Sequence, residues 1–314
     1  MPEIDYQKGK MLVKESPFRW MKGQTLCCEN QNTNCTYDQI EKMKNKGLLN
    51  AVDFCILKKM AGYRYLTQSH INACVNGSSL KKGYKKDSYE ENVFKMVRAG
   101  IINRFCFVSE TGDLYECLPN KYSVRFYDLS KGAHSFARNV AGYEMHHLDS
   151  EQRPERILEL LSLNQFDIGM QRELKECIQY RGYAEKRKLG SSYAELDLYY
   201  RIQKRNTTLP PLHLYVASVR LHPGYESRFA EKIRIVRSCV QMHGKEESSL
   251  LLVLCENLDS VKAMYRYQAQ DELFGNEVIL YTTDITNYVF GAMSSIMTCK
   301  NMGSNLFLER LKLI

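Results

Sequence analysis

The sequence predicts an α/β fold, α+β overall, with two domains. Residues 36–143 carry several short helical patterns followed by alternating strand-like runs, which indicates a small helical core closed by a hairpin. Residues 156–314 alternate apolar strand-like runs with helical patterns, which indicates a mixed sheet covered on both faces. Residues 144–155 are polar, contain a proline and have no apolar period, so they are predicted to form a linker. Residues 1–35 are predicted to be an arm or irregular lead-in.

Length and composition favour a globular protein of the cytoplasm. The 314 residues suffice for two domains, and an apolar fraction of 44% is ordinary for a chain with a real core. No apolar run reaches the roughly 20 residues that a membrane span needs, and the first ten residues lack the apolar segment of a signal peptide. The 11 cysteines are scattered mostly singly, which is typical of reduced thiols in the cytoplasm. Their one cluster, Cys27, Cys28 and Cys35, lacks a second pair at zinc-ligand spacing, so no metal site or cofactor is predicted.

Positive charge is concentrated in the first half of the chain. Residues 1–150 contain 22 Lys and Arg against 16 Asp and Glu, whereas the remainder contains 22 against 20. Between Lys58 and Arg104 there are ten basic and three acidic residues. This concentration favours a polyanionic partner through counterion release, and the simpler alternative is a solvated lysine-rich loop.

A helix predicted within residues 87–107 organises the first domain. Asp87 or Ser88 can cap it, and Ser88 with Glu91 has the spacing of a capping box. Gly100 is expected to end the helix, after which the chain alternates as a short strand. The apolar stripe of this helix is predicted to comprise Val93, Phe94, Val97 and Ile101.

Further helices and a hairpin are predicted around this helix. Two helices before a third that runs into a hairpin have the order of a winged helix-turn-helix, whose third helix enters a groove of DNA. A second strand-like run and a helix capped by Ser130 are predicted to follow the hairpin. The predicted ranges are helices at 36–46, 48–60 and 67–75, hairpin strands at 104–109 and 114–119 with a turn at 110–113, a strand at 122–127 and a helix from 129.

The candidate DNA contacts are the basic and polar residues just before and on the helix within residues 87–107. Lysine and arginine neutralise phosphates or bond guanine edges, and an asparagine can make a bidentate contact to adenine. A tyrosine could stack on sugars or bases, although half-buried packing is the simpler alternative. The predicted contacts are Lys81, Lys82, Lys85, Lys86, Tyr89, Asn92, Lys95 and Arg98.

The second domain is predicted to alternate helices and strands. Its uninterrupted apolar runs are suited to strands buried on both faces. The predicted ranges are a long helix at 153–180 with a possible break at 167–169, strands at 193–202 and 212–221, a helix at 226–242, a strand at 250–254, a helix at 258–273, a strand at 278–283, and a tail from 287 with a short helix and loose chain.

The order of these patterns resembles the replication-relaxation family of plasmids and integrative mobile elements. The resemblance is carried by LLNAVDFCILKKMAGYRYLTQSHINACV, ENVFKMVRAGIINRF and YDLSKGAHSFA in residues 46–140, and more weakly by AELDLYY, LHLYVASV and ESRFAEKIRIV in residues 155–285. It implies a winged-helix DNA-binding domain joined to a domain related to restriction-endonuclease-like folds. It also implies a role in replication, relaxation, conjugative transfer or transcription regulation of the element.

The same resemblance implies where a nuclease site would lie. Active nucleases of that fold hold a divalent metal with an Asp on one strand and a Glu-x-Lys-type pair on the next, because Mg²⁺ prefers oxygen ligands and a lysine can activate the attacking water. Asp197, with Glu195 beside it, stands where the first carboxylate is expected. Ala217 and Ser218 stand where the facing strand needs an acid, and only Arg220 keeps a positive charge.

The second domain is therefore expected to be an inactive nuclease-like fold. Glu226 or Glu231, on the helix that follows, could in principle replace the missing acid. The lead prediction is a cytoplasmic, non-enzymatic protein that binds double-stranded DNA and not membranes, with the second domain as a scaffold, a homodimer surface or a docking module for replication or transfer proteins. Two alternatives stay open: a metal-dependent nuclease built on Asp197, and an interaction protein whose winged helix binds replication or transfer proteins.

Overall fold

The computed structural model of the chain is a mixed α/β protein with two β-sheets. It describes residues 16–18, 23–30, 34–77, 88–109, 124–139, 153–189, 192–203, 207–240, 248–270, 279–302 and 305–311. The chain divides into two compact units. We call residues 19–164 the N-terminal unit, and residues 165–314 together with the first 18 residues the C-terminal unit. The predicted mixed α/β class is confirmed.

The N-terminal unit combines short helices with an antiparallel sheet. Helices α1, α2 and α3 each begin with a capping box, in which a Thr or Asn side chain and the side chain three residues later satisfy each other's backbone N–H groups. The strands lie in the order β1-β3-β4-β2. The elements are β1 (Gln24–Cys28), α1 (Tyr37–Asn45), α2 (Ala51–Gly62), β2 (Leu66–Thr67), α3 (Gln68–Asn76), α4 (Glu90–Arg98), β3 (Ile102–Ser109), β4 (Phe126–Leu129) and α5 (Lys131–Asn139).

Three sequence predictions are corrected or left open in this unit. The predicted irregular arm contains the strand β1, which pairs with β3. Helix α2 begins at Ala51 and not at Leu48, because Asn50 caps it. The described partner of β3 on its other side is β4, whereas the predicted hairpin strand at 114–119 lies outside the described residues.

Aromatic side chains form the core beside this sheet. Tyr65, Phe105 and Phe126 are buried, with Tyr65 edge-on to both phenyl rings at centroid distances of 6.2 and 5.5 Å. Tyr65 has a left-handed backbone (φ 58°), and the Nδ2 atom of Asn164 donates a 2.8 Å hydrogen bond to its carbonyl oxygen. The turn before β2 is thus held by both ring packing and a buried side-chain hydrogen bond.

The C-terminal unit is built on a mixed seven-stranded sheet in the order β11-β10-β9-β8-β7-β6-β5. Strands β7, β8 and β9 are parallel, and the other neighbours are antiparallel. The elements are α6 (Pro154–Leu174), whose first residues belong to the N-terminal unit, β5 (Ile178–Leu189), β6 (Ser192–Ile202), β7 (Leu212–Ser218), α7 (Tyr225–Val240), β8 (Ser248–Cys255), α8 (Leu258–Gln270), β9 (Ile279–Thr283), α9 (Asp284–Phe290), β10 (Met297–Met302) and β11 (Asn305–Arg310).

The central strands carry the core of this unit. β8 reads SSLLLVLC, and the alternating side chains of such a strand are buried on both faces. Tyr199, Tyr215 and Val253 belong to one buried cluster with Phe229 of α7 and Met264 of α8. One face of the sheet is therefore covered by α7 and α8.

Several predictions for this unit and for the linker before it are wrong. Helix α6 is unbroken and ends at Leu174, so residues 178–180 begin β5 and do not continue the helix. The tail is a β10–β11 hairpin and not loose chain. The predicted linker is partly helical, because residues 154 and 155 open α6, while residues 144–152 lie outside the described residues.

The described cysteines are all free. Five of them, at positions 35, 74, 106, 239 and 255, are buried and contribute to the packing as small apolar side chains. Among the described residues, no helix is long and apolar enough to cross a membrane.

A close backbone approach at Gly132 gives a test of the packing of the N-terminal unit. A Cβ atom at this position would overlap the carbonyl oxygen of Cys35, whereas a Cβ at Gly62, the last residue of α2, meets no atom within 4 Å. We expect Gly132→Ala to lower the free energy of unfolding by about 1–3 kcal/mol. Gly62→Ala should raise it by up to about 1 kcal/mol, because the unfolded chain loses freedom. Urea unfolding of the two variants measures both, and a neutral Gly132→Ala would contradict the contact.

The cap of α3 contains a buried histidine. Thr67 Oγ1 accepts a hydrogen bond from the His70 backbone N–H (3.2 Å), and His70 Nδ1 accepts one from the Thr67 N–H (3.4 Å). His70 is 4% exposed, and this burial lowers its pKa to about 3. The imidazole is therefore neutral in the folded state over the whole physiological range.

The buried His70 should make stability depend on pH. Its pKa is about 6.5 in an unfolded chain, so the unfolded state binds a proton below pH 6.5 that the folded state excludes until about pH 3. This contribution is complete above pH 6.5, and about 2 kcal/mol of it is lost between pH 7.5 and pH 5. His70→Gln, which reproduces the residue pair of the Thr36–Gln39 capping box of α1, keeps the cap and removes the titration. Urea unfolding curves of the unaltered protein and of His70→Gln at pH 7.5 and pH 5 test this prediction. If both proteins lose the same free energy of unfolding between the two pH values, His70 is not the cause.

Candidate functional site

Helix α4 is the element around which the candidate site is built. Gly100, in the left-handed region (φ 72°), follows the helix and ends it as predicted. Its N–H donates to the Val97 carbonyl and the Ile101 N–H to the Met96 carbonyl, both at 3.0 Å, which is the pattern of a Schellman motif. The buried Ile101 and Met96 side chains accompany it. The exit of the chain into β3 is therefore closely defined.

The start of α4 differs from the prediction. The helix begins at Glu90 after Tyr89, which makes no side-chain cap, and Ser88 Oγ accepts only from the Glu90 N–H (3.2 Å). The predicted capping box of Ser88 with Glu91 is therefore wrong. Tyr89 is 1% exposed, and its hydroxyl donates to Asn76 Oδ1 at 2.8 Å. This tyrosine, predicted as a DNA contact, thus joins α4 to α3 inside the unit.

A buried carboxylate joins α4 to α2. Asp53 is fully buried at the start of α2, where it accepts from the Asn50 N–H at 2.8 Å. It also accepts from Asn92 Nδ2 at 2.9 Å and forms an ion pair with Lys95. Two of the predicted DNA contacts therefore hold an internal charge. The sequence analysis missed Asp53, although its spacing from Asn50 is that of a capping box.

The outer face of α4 presents an aromatic ring and a guanidinium. Phe94, predicted to be buried, is 43% exposed, and Met96 is buried instead. Arg98, one helical turn after Phe94, is exposed, and its guanidinium carbon lies 4.2 Å from the centroid of the Phe94 ring. This is a cation–π contact at the surface. Glu90 and Glu91 are exposed at the start of the same helix.

A groove lies beside the end of α4. It encloses about 450 Å³. Its lining includes Ala99, Leu48 and two lysines, namely Lys42 of α1 and Lys46, the C-cap residue of α1. Both lysines are exposed, and Leu48, in the turn between α1 and α2, is 60% exposed. The sequence analysis did not single out these lysines, because they belong to a helix without an unusual charge pattern.

The remaining predicted contacts are not described. Lys81, Lys82, Lys85 and Lys86 lie outside the described residues. Of the eight predicted DNA contacts, Arg98 and Lys95 are exposed, and Lys95 also pairs with Asp53. The accessible α4 face therefore presents Phe94, Arg98 and the ammonium of Lys95 together with two carboxylates of its first turn, and Lys42 and Lys46 lie next to its end.

The second candidate site surrounds Asp197 on β6. Its carboxylate is 8% exposed, accepts from the Ser218 backbone N–H at 3.1 Å and forms an ion pair with Lys232 of α7. Ala217 is buried on β7, the strand that pairs with β6. The cavity at this place is about 10 Å³, roughly one water position. The ammonium group of Lys232 thus balances the carboxylate where the nuclease alternative requires a metal.

The other residues of the nuclease alternative lie in different settings. Glu195 is half-buried and lines the same small cavity. Arg220 is 4% exposed and pairs with the buried Asp284 at 2.6 Å, and Asp284 also accepts from Ser16 Oγ at 2.5 Å. Glu231 is exposed on α7. In the part of the chain that is described, no group of three or more His, Cys, Asp or Glu side chains could hold a metal ion.

Comparison with known protein families, with curated proteins and with solved structures gives no match to this chain.

The Asp197–Lys232 pair gives a test of the C-terminal unit. Lys232→Met leaves the buried carboxylate without its cation, and we expect it to lower the free energy of unfolding by about 3 kcal/mol. Adding Asp197→Asn should recover much of this loss, because the amide oxygen can still accept from the Ser218 N–H. Urea unfolding monitored by circular dichroism measures both variants.

The control for this test is Arg234→Met, which removes an exposed cation from the same helix and should be nearly neutral. If the double variant loses as much free energy of unfolding as its two single variants lose together, the two charges do not interact.

Proposed function

We propose that this chain binds double-stranded DNA through α4 of its N-terminal unit. The observation that carries the proposal is the order α2–β2–α3–α4–β3–β4, with the three strands paired as β3-β4-β2. A winged helix-turn-helix consists of three helices and a two-stranded extension, to which a short first strand is added. Its third helix enters the major groove. Here α4 takes that third place.

The exposed cations of this unit support the proposal. Arg98, the last residue of α4, is exposed on the outer face, and Lys42 and Lys46 line the groove beside this end of the helix. A helix in the major groove needs a side chain that reaches base edges and flanking cations that neutralise phosphates. Arg98 is suited to the first role, and the two lysines are suited to the second.

The resemblance to the replication-relaxation family extends the proposal to a cellular setting. The protein would act in the cytoplasm on the DNA of a plasmid or integrative element, in its replication, transfer or regulation. The C-terminal unit would be a degenerate restriction-endonuclease-like fold that serves as a scaffold, a dimer surface or a docking module. The ammonium of Lys232 beside Asp197 supports this role over metal-dependent cleavage.

An interaction protein is the second candidate function. Leu48 and Phe94 are large apolar side chains exposed on the N-terminal unit, and such side chains occur in protein-binding surfaces. This candidate predicts that the intact protein retains no duplex DNA at roughly 100 mM salt, where non-specific DNA binding is still measurable. The experiment below therefore separates the two functions.

DNA binding should depend on salt and on the named cations. We expect the logarithm of affinity for random-sequence duplexes to fall linearly with the logarithm of salt concentration. Arg98→Ala should weaken binding to a duplex site selected by the unaltered protein by about 1–3 kcal/mol. Lys42→Gln combined with Lys46→Gln should make the slope shallower by about 1.8, because each lost phosphate contact removes about 0.9. Fluorescence anisotropy of labelled duplexes measures both quantities. Lys95 is left in place because it balances Asp53.

The matched control changes two exposed cations of the C-terminal unit, Arg172→Gln with Lys175→Gln. This variant has the same net charge as the double lysine variant. If DNA binds at the α4 face, this variant should bind duplexes like the unaltered protein. If the two double variants have equal slopes and Arg98→Ala binds normally, α4 is not the contact.

A further inference from the structure

The pairing of Phe94 with Arg98 carries an inference about which bases the protein recognises; it rests on the proposed DNA binding. Arg98 is held over the phenyl ring and is not extended freely into solvent. Asn92 and Lys95 are held by Asp53 on another side of the helix. The ring and the guanidinium are thus presented together on a helix whose rotation is already set.

The spacing of the two groups suits neighbouring bases. The guanidinium carbon lies 4.2 Å from the ring centroid, and stacked bases of one strand are separated by about 3.4 Å. A guanidinium and a ring at this separation can therefore each meet one of two successive bases. A guanidinium recognises guanine through its O6 and N7 acceptors, and a phenyl ring recognises the 5-methyl group of thymine by apolar contact.

We propose that Phe94 and Arg98 together recognise a thymine next to a guanine in the major groove. Phe94 covers the thymine methyl group, and Arg98, oriented by the ring, bonds the guanine. The stack reduces the freedom that the arginine loses on binding, so the ring acts both as a contact and as a support for its neighbour. Cytosine in place of thymine lacks the methyl group and would leave the exposed ring without its apolar contact.

The first experiment selects duplexes from a random-sequence pool with the full-length protein. The enriched sites are expected to contain a thymine beside a guanine. In a selected site, deoxyuridine in place of that thymine removes only the methyl group and should weaken binding about fourfold, the effect of one buried carbon at about 0.8 kcal/mol. Replacing the guanine by 7-deazaguanine removes the N7 acceptor and should weaken binding in the same assay.

The variants assign these effects to side chains. Phe94→Ala should bind the thymine and deoxyuridine sites equally, and Arg98→Ala should bind the guanine and 7-deazaguanine sites equally. Phe94 is 43% exposed, so its truncation leaves the core intact. Leu48→Ala removes the other large apolar side chain that is exposed in the described part of the N-terminal unit, and it should keep the full response to the methyl group.

Each outcome decides the inference. Sensitivity to the methyl group that survives in Phe94→Ala, or is lost in Leu48→Ala, overturns it. If the protein retains duplexes but does not enrich a thymine beside a guanine, the inference is also overturned, whereas the proposed DNA binding by α4 is not. Failure of the unaltered protein to retain any duplex overturns both, and favours a protein partner for the exposed ring.

Discussion

The buried carboxylate of Asp53 is the interaction on which the proposed DNA-binding face depends. It completes the capping box of α2 and also binds Asn92 and Lys95 of α4. A carboxylate that is fully buried needs a cation and several donors to offset its lost hydration, so this arrangement strongly disfavours other rotations of α4. With Asn92 and Lys95 turned toward α2, the helical period of 3.6 residues turns Phe94 and Arg98 outward.

The same device recurs in the C-terminal unit. Buried aspartates at positions 167, 197 and 284 each take a basic side chain from another segment of that unit, namely Arg181, Lys232 and Arg220. These cations count toward the positive charge of the sequence but neutralise internal carboxylates. A count of Lys and Arg along a chain therefore overstates the charge available to a polyanion, and only the folded arrangement separates internal from external cations.

The sequence predicted the apolar strands and most helices, because their apolar periods survive in the fold. The missed strands β1, β2, β5 and β11 lie at sheet edges, with β10 next to β11. β2 has only two residues, and periodicity cannot distinguish the short apolar run of β11, NLFLER, from part of a helix. Polar edge strands have no apolar period to detect. β5, for example, reads IQYRGYAEKRKL. Phe94 was misplaced for a related reason: periodicity identifies an apolar side of a helix to within about one residue, but the final rotation is decided by the bond between Asn92 and Asp53, which are 39 residues apart. Likewise, no motif links Lys232 to Asp197, because they meet only across a strand–helix contact.

The two units differ in how their polar groups are used, and this difference favours α4 as the functional surface. Near Asp197, the carboxylate has its cation and a backbone donor, and the space that remains is about 10 Å³, too small for a substrate. On α4, by contrast, the apolar core is completed by Val93, Met96 and Val97 without Phe94. The Phe94 ring keeps 43% of its surface exposed and Arg98 is exposed, so this pair contributes less to folding than a fully buried pair would. Its arrangement is more readily explained by a partner that supplies an apolar contact and a hydrogen-bond acceptor side by side, and the methyl group of thymine beside the edge of guanine offers that combination.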